Sequence, residues 1–177
     1  MSVVVALLRA VNVGGRQVSS VDLREVATGL GCTKVATYLA SGNLVLVTDD
    51  DPARLRATLS AGLRERTGLD VPVLTRDLAA WDAAVAGLPM PDQARQDPAR
   101  LALVCFDGPV DEPAVDPGRV GSELVVWSGA EAYVWYPDGQ ARTRLTLDVL
   151  SRAAGRIGTA RNWRTVLGLQ ALAHERA

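Results

Sequence analysis

The run Val3-Val4-Val5-Ala6-Leu7-Leu8 constrains the fold most. It is apolar without a polar break and rich in β-branched residues, which reads as a central strand. The chain then passes through Arg9, Asn12 and the pair Gly14-Gly15 into a helix opening at Ser19-Ser20-Val21-Asp22. Either serine can cap that helix, and Asp22 in its first turn suits the helix dipole. Val21, Leu23, Val26 and Leu30 supply an apolar face, and Gly31 is a good stop.

The elements that follow extend this start into a recognisable order. Thr33 to Leu39 reads as a second strand, Ser41-Gly42-Asn43 as a tight turn, and Leu44 to Val47 as a returning third strand. Asp49-Asp50-Asp51-Pro52 opens a second helix, with Leu55, Leu59 and Leu63 as its buried stripe and Gly68 at its end. Val71 to Leu74 is a fourth strand. The order β-α-β-β-α-β is that of the ferredoxin-like split βαβ unit.

The second half is less regular. Asp77 caps a helix to about Gly87, and the proline-bearing stretch from Leu88 to Pro98 reads as a loop. Leu101 to Phe106 is a strand, and Val110 to Gly121 an exposed connection. Ser122 to Trp127 and Ala132 to Tyr136 pair around Ser128-Gly129. Thr143 to Ala154 reads as a helix, and Thr159 as the cap of a last helix reaching about His174. No internal repeat shows at the level of motif. The expected class is therefore α+β: a ferredoxin-like βαββαβ half over residues 1–76, packed as one compact unit against a second α+β subdomain over residues 77–177 that ends in helices.

Composition narrows the function classes. A formal net charge of −1 gives no global field toward nucleic acid or an anionic membrane. Of the 19 basic residues, all but Lys34 are arginine. Guanidinium forks grip phosphate and carboxylate, but general composition accounts for the same excess. Cys32 and Cys105 have no CxxC spacing and read as buried thiols of a reducing cytoplasm. No stretch approaches the length of a membrane-spanning helix, and the start is not a signal peptide. With His174 as the one histidine, nothing in the pattern calls for a metal, a cofactor or a histidine-based triad.

Four polar blocks offer chemistry, each beside a structural explanation. Arg9, Asn12, Gly14 and Gly15 stand before a helix N-terminus, the outline of an anion site, although neither GxxxxGK[ST] nor GxGxxG is present. The alternative is a turn whose glycines only redirect the chain. Tyr38, Ser41 and Asn43 offer hydroxyl and amide groups near a sheet edge, or simply satisfy their own hairpin. Arg161 and Asn162 fall in the first turn of the last helix, where an arginine opposes the dipole and invites either a ligand or an ion pair. Tyr133, Trp135 and Tyr136 lie near Arg142 and Arg144, a pattern that stacks single-stranded nucleic acid or fills a core.

Three segments, Leu7 to Gly15, Thr37 to Leu44 and Thr159 to Val166, together closely resemble the bacterial DUF1697 family over essentially the whole chain. The resemblance implies an α+β fold with a ferredoxin-like first half, and it implies no activity. Ala10 stands where the family usually has glycine. Arg144 stands where it usually has lysine, which removes any role needing a lysine amine. The expectation is a non-catalytic module for a small phosphate- or carboxylate-bearing ligand, held by Arg9, Asn12, Gly14, Gly15, Arg161 and Asn162, with Tyr38, Ser41, Asn43 and Arg144 as further candidates. Two other readings stay open: an interaction domain whose motifs are folding constraints, and an enzyme acting on a phosphorylated or carboxylated substrate.

Overall fold

A computed structural model describes residues 1–9, 15, 17–39, 42–111 and 113–177. They divide into two compact units, Met1–Ala83 with Gly168–Ala177, and Ala84–Leu167. Each unit holds one four-stranded antiparallel sheet, and the described residues form six α-helices, so the protein is mixed α+β.

In the first unit β1 (Ser2–Leu8) is central. It pairs with β3 (Asn43–Thr48) on one side and β4 (Val73–Asp77) on the other, and β2 (Thr33–Thr37) lies outside β3. Val4, Ala6, Leu8, Leu44 and Leu46 form one face of this sheet. They pack with Leu23 and Ala27 of α1 (Ser20–Gly29) and with Leu55, Leu59 and Leu63 of α2 (Pro52–Thr67). Val3, Val5, Leu7, Val45 and Leu74 on the other face are buried as well. Burial on both faces is why β1 shows no polar alternation.

Local chemistry sets the helix ends. Ser19 and Asp22 form a capping box on α1. Asp51 Oδ1 accepts from the Ala53 and Arg54 N–H groups ahead of α2, and Gly68 closes α2 at φ +71°. The expected apolar face of α1 needs correction. Val21 and Leu30 point outward, and Leu23 with Ala27, one turn apart, forms the buried stripe. The fourth strand is also displaced from 71–74. Thr75, Arg76 and Asp77 continue the ladder opposite Ala6, Val5 and Val4, because backbone pairing with β1 does not depend on their polarity.

In the second unit β5 (Leu101–Phe106) is central. It lies between β7 (Glu131–Trp135) and β8 (Gly158–Asn162), with β6 (Leu124–Ser128) outside β7. Ala102, Val104, Phe106, Ala132 and Val134 pack with Leu150 of α5 (Leu147–Ala154). Gly158 is needed here, since a Cβ would run into the Phe106 ring. Three expectations are corrected. The 88–98 stretch contains α4 (Pro91–Gln96), opened by a proline at its first position. The helix read from Thr143 begins at Leu147, capped by Thr146. Thr159 does not cap α6: it sits on β8 opposite Cys105, and α6 (Trp163–His174) starts after Asn162. Gly-Thr-Ala-Arg-Asn has no strand signature of its own, so only pairing with β5 makes it one.

The two sheets share one strand order, β2-β3-β1-β4 and β6-β7-β5-β8. The correspondence reaches individual bonds. The Leu8 N–H donates to the Gly42 carbonyl as Phe106 does to Ala130, and Arg9 to Pro72 as Asp107 does to Ile157. Between the first two strands one unit has α1, while the other has an irregular connection with a short 3-10 turn at Pro117–Arg119. The repeat is one of topology, invisible to motif searching because the aligned side chains differ.

Within the first unit Tyr38 lies against Gly168 of α6, where an added Cβ would collide with the phenol ring and hydroxyl. Gly168→Ala is therefore expected to destabilise by about 1–3 kcal/mol in urea unfolding, despite alanine's better helix propensity. Tyr38→Ala in the same background should recover part of that loss; an additive double mutant would count against the contact.

Candidate functional site

β1 ends at Leu8, and the N–H of the next residue, Arg9, donates to the Pro72 carbonyl at 2.9 Å. Gly15 takes φ +85° with open space where a Cβ would be. Asn12, Gly14 and Ser41 lie outside the described residues, as does Ala10. Tyr38 and Asn43 come together across the hairpin. The Tyr38 N–H donates to the Asn43 carbonyl at 3.1 Å, and Asn43 Nδ2 donates to the Tyr38 carbonyl at 2.8 Å. Asn43 is fully buried, so its amide closes the turn.

Arg161 and Asn162 are neighbours at the end of β8. Arg161 Nη1 donates to Thr159 Oγ1 at 2.9 Å and to the Ala160 carbonyl at 2.8 Å. Burial pushes its guanidinium down to about 10, still cationic at neutral pH. Asn162 Oδ1 accepts the Thr165 N–H at 2.9 Å and caps α6. The first unit repeats this junction. Arg76 Nη1 donates to the Thr75 carbonyl at 2.9 Å, and Asp77 Oδ1 accepts the Ala80 N–H at 2.7 Å ahead of α3 (Leu78–Ala86). Arg76 stands opposite Val5 and Arg161 opposite Leu103, each on the central strand. An arginine followed by an Asx cap thus serves to turn the last strand of each sheet into a helix. This corrects the placement of Arg161 and Asn162 in a first helical turn: both are strand residues.

Arg144 belongs elsewhere in the second unit. It lines a cleft of about 610 Å³ with Arg119 and Arg142, and with Ser122, Glu123 and Asp138; Arg161 and Asn162 do not line it. All three arginines are exposed, and among the described residues none forms an ion pair. Glu123 is held by the wall: Oε1 accepts from the Thr143 hydroxyl and Oε2 from the Gly121 N–H at 2.7 Å. The Thr143 bond, ahead of the backbone donors, keeps its carboxyl below the usual range. Asp138 Oδ2 accepts from the Ser122 hydroxyl at 2.8 Å. Tyr133, Trp135 and Tyr136 are buried, so the aromatic residues near Arg142 and Arg144 are core and offer no stacking face.

A family model described as a protein of unknown function, DUF1697, matches residues 1–133. The chain belongs to the DUF1697 family. A solved structure, that of conserved bacterial protein SP0830 from Streptococcus pneumoniae, matches with a TM-score of 0.69 at 21% identity, covering 97% of this chain and 98% of that one. It supports the α+β fold. No curated protein matches the chain.

In this DUF1697 member no motif marks Arg119, Ser122, Glu123 and Asp138 as sharing a wall. Arg142-Thr143-Arg144 was the one local signal. Arg119 sits in a connection whose sequence carries no pattern, and only folding places it beside the turn at Asp138. His174, the one histidine, has Nε2 at 3.0 Å from Asp82 Oδ1. The Asp82 carboxyl is held low, first by the Gln170 amide and then by His174. Among the described residues no three His, Cys, Asp or Glu side chains group as metal ligands. No described helix is long and apolar enough to cross a membrane.

Two outcomes follow for this family member. Asn162→Ala should cost about 1 kcal/mol in chemical unfolding and Asn162→Asp much less, because aspartate keeps the cap. Equal losses would remove the capping role. Thr143→Val should raise the Glu123 carboxyl toward the ordinary glutamate value, read by NMR titration. A lowered folded-state value stabilises above the unfolded pKa of about 4.3 and is lost as pH falls through the folded one, so the variant should lose stability at neutral pH and lose less further on acidification.

Proposed function

We propose that the protein is a non-catalytic module that binds a small anion in the second unit's cleft. One observation carries this reading: Arg119, Arg142 and Arg144 share a concave wall and form no ion pair among the described residues. Unpaired guanidinium groups are cheap in water and become strong donors when a phosphate or carboxylate enters. The proposal retains Arg144 from the sequence expectation and moves the centre away from Arg161 and Asn162, whose hydrogen bonds are spent on β8 and α6. Arg9 and Gly15 remain a second, weaker anion candidate at the exit of β1.

The first unit is read as ferredoxin-like; its βαββαβ order and its sheet order β2-β3-β1-β4 support that assignment. Cys32 and Cys105, both buried and not in a disulfide, suit a cytoplasmic setting. The interaction-domain reading keeps one support. The outer strand β6 exposes Leu124 and Val126, at 48% and 38%, on the edge of its sheet.

The test is thermal unfolding with inorganic phosphate and with succinate. Stabilisation of about 2–3 kcal/mol is expected at a hundredfold excess over Kd, and Arg144→Ala should abolish it. Loss with Arg9→Ala instead would move the site to the β1 exit. No stabilisation by either anion, together with concentration-dependent self-association, would replace this reading by the interaction domain.

A further inference from the structure

We infer that the cleft takes a phosphorylated sugar or polyol, its phosphate on Arg119, Arg142 and Arg144 and its hydroxyl groups on Glu123 and Asp138. This rests on the anion reading above and adds the class of ligand. The lining residues include no aromatic side chain. The aromatic residues closest in sequence are spent on the core: Tyr136 Oη donates to the Leu145 carbonyl at 3.3 Å, Trp135 is buried, and Trp127 packs against Phe106 with ring centroids 5.7 Å apart. A nucleobase would find no aromatic face on which to stack. A ligand that is anionic throughout would also be opposed by the two carboxylates.

Those carboxylates fit hydroxyl groups. Each is anchored by wall donors, Glu123 by Thr143 and Gly121, and Asp138 by Ser122. A carboxylate has about four acceptor positions, so both keep capacity for incoming O–H donors at fixed positions. Charge-assisted O–H bonds to such anchored groups are among the stronger neutral-ligand contacts. Gly139, at φ +78° with nothing near its missing Cβ, leaves the backbone open to close approach on the same wall. A volume of about 610 Å³ suits a ligand of this size.

The experiment is calorimetric titration of the full chain with inorganic phosphate, glycerol 3-phosphate, glucose 6-phosphate and AMP. At least one hydroxylated phosphate should bind about tenfold more tightly than inorganic phosphate, as one good charge-assisted hydrogen bond allows. AMP should gain no more from its base. Glu123→Gln and Asp138→Asn, each checked for folding by circular dichroism, should erase the hydroxyl advantage while leaving inorganic phosphate binding equal or stronger. Arg144→Ala should weaken every ligand. Inorganic phosphate bound through Arg144 with no gain from hydroxyl groups would overturn this inference and leave the anion reading standing. AMP binding tightest, or carboxylate variants without effect, would overturn it too. No binding by any of the four would remove both.

Discussion

The pairing of a doubly buried central strand with its two neighbours organises each half of this protein. β1 can be apolar throughout because side chains are buried on both of its faces, and its backbone groups are spent on β3 and β4. β5 repeats the arrangement with β7 and β8. Once these central strands are fixed, weak sequences become strands at their edges. β4 recruits Thr75, Arg76 and Asp77, and β8 recruits Gly158 to Asn162, neither of which has strand character alone. The cost of unpaired N–H and C=O groups along a buried strand is what enforces this.

The same constraint changes the meaning of the arginine–Asx block. Taken singly, Arg161-Asn162 before a helix suggests an anion grip. Its twin at Arg76-Asp77, with the same donor to the preceding carbonyl and the same cap three residues on, marks it as a joint between strand and helix. The two joints differ in the cap, carboxylate in one unit and amide in the other, and in the added bond from Arg161 Nη1 to Thr159 Oγ1. A block whose arginine bonds its own strand and whose Asx residue caps the next helix has less left to offer a ligand.

The cleft of the second unit has the opposite character. Where the first unit spends its β1-to-β2 connection on α1, the second leaves an irregular segment that carries Arg119 to the turn holding Asp138 and the Arg142-Thr143-Arg144 stretch. Guanidinium groups there have no anionic partner among the described residues, while the carboxylates are pinned. The concavity lies where the second unit departs from the repeated helix, and the proposed anion site falls there.

Sequence alone determined the central strands, the capping of α1 and α2, the stripe Leu55-Leu59-Leu63 and membership of a family over most of the chain. These depend on local periodicity and on side chains bonding within three or four residues. It could not reveal β8, the outward direction of Val21 and Leu30, or the repeated strand order. Nor could it reveal the meeting of Arg119, Glu123 and Asp138 with Arg144. Each of those was decided by tertiary structure, because pairing and burial between segments distant in sequence outweigh local preference and leave no trace in neighbouring residues.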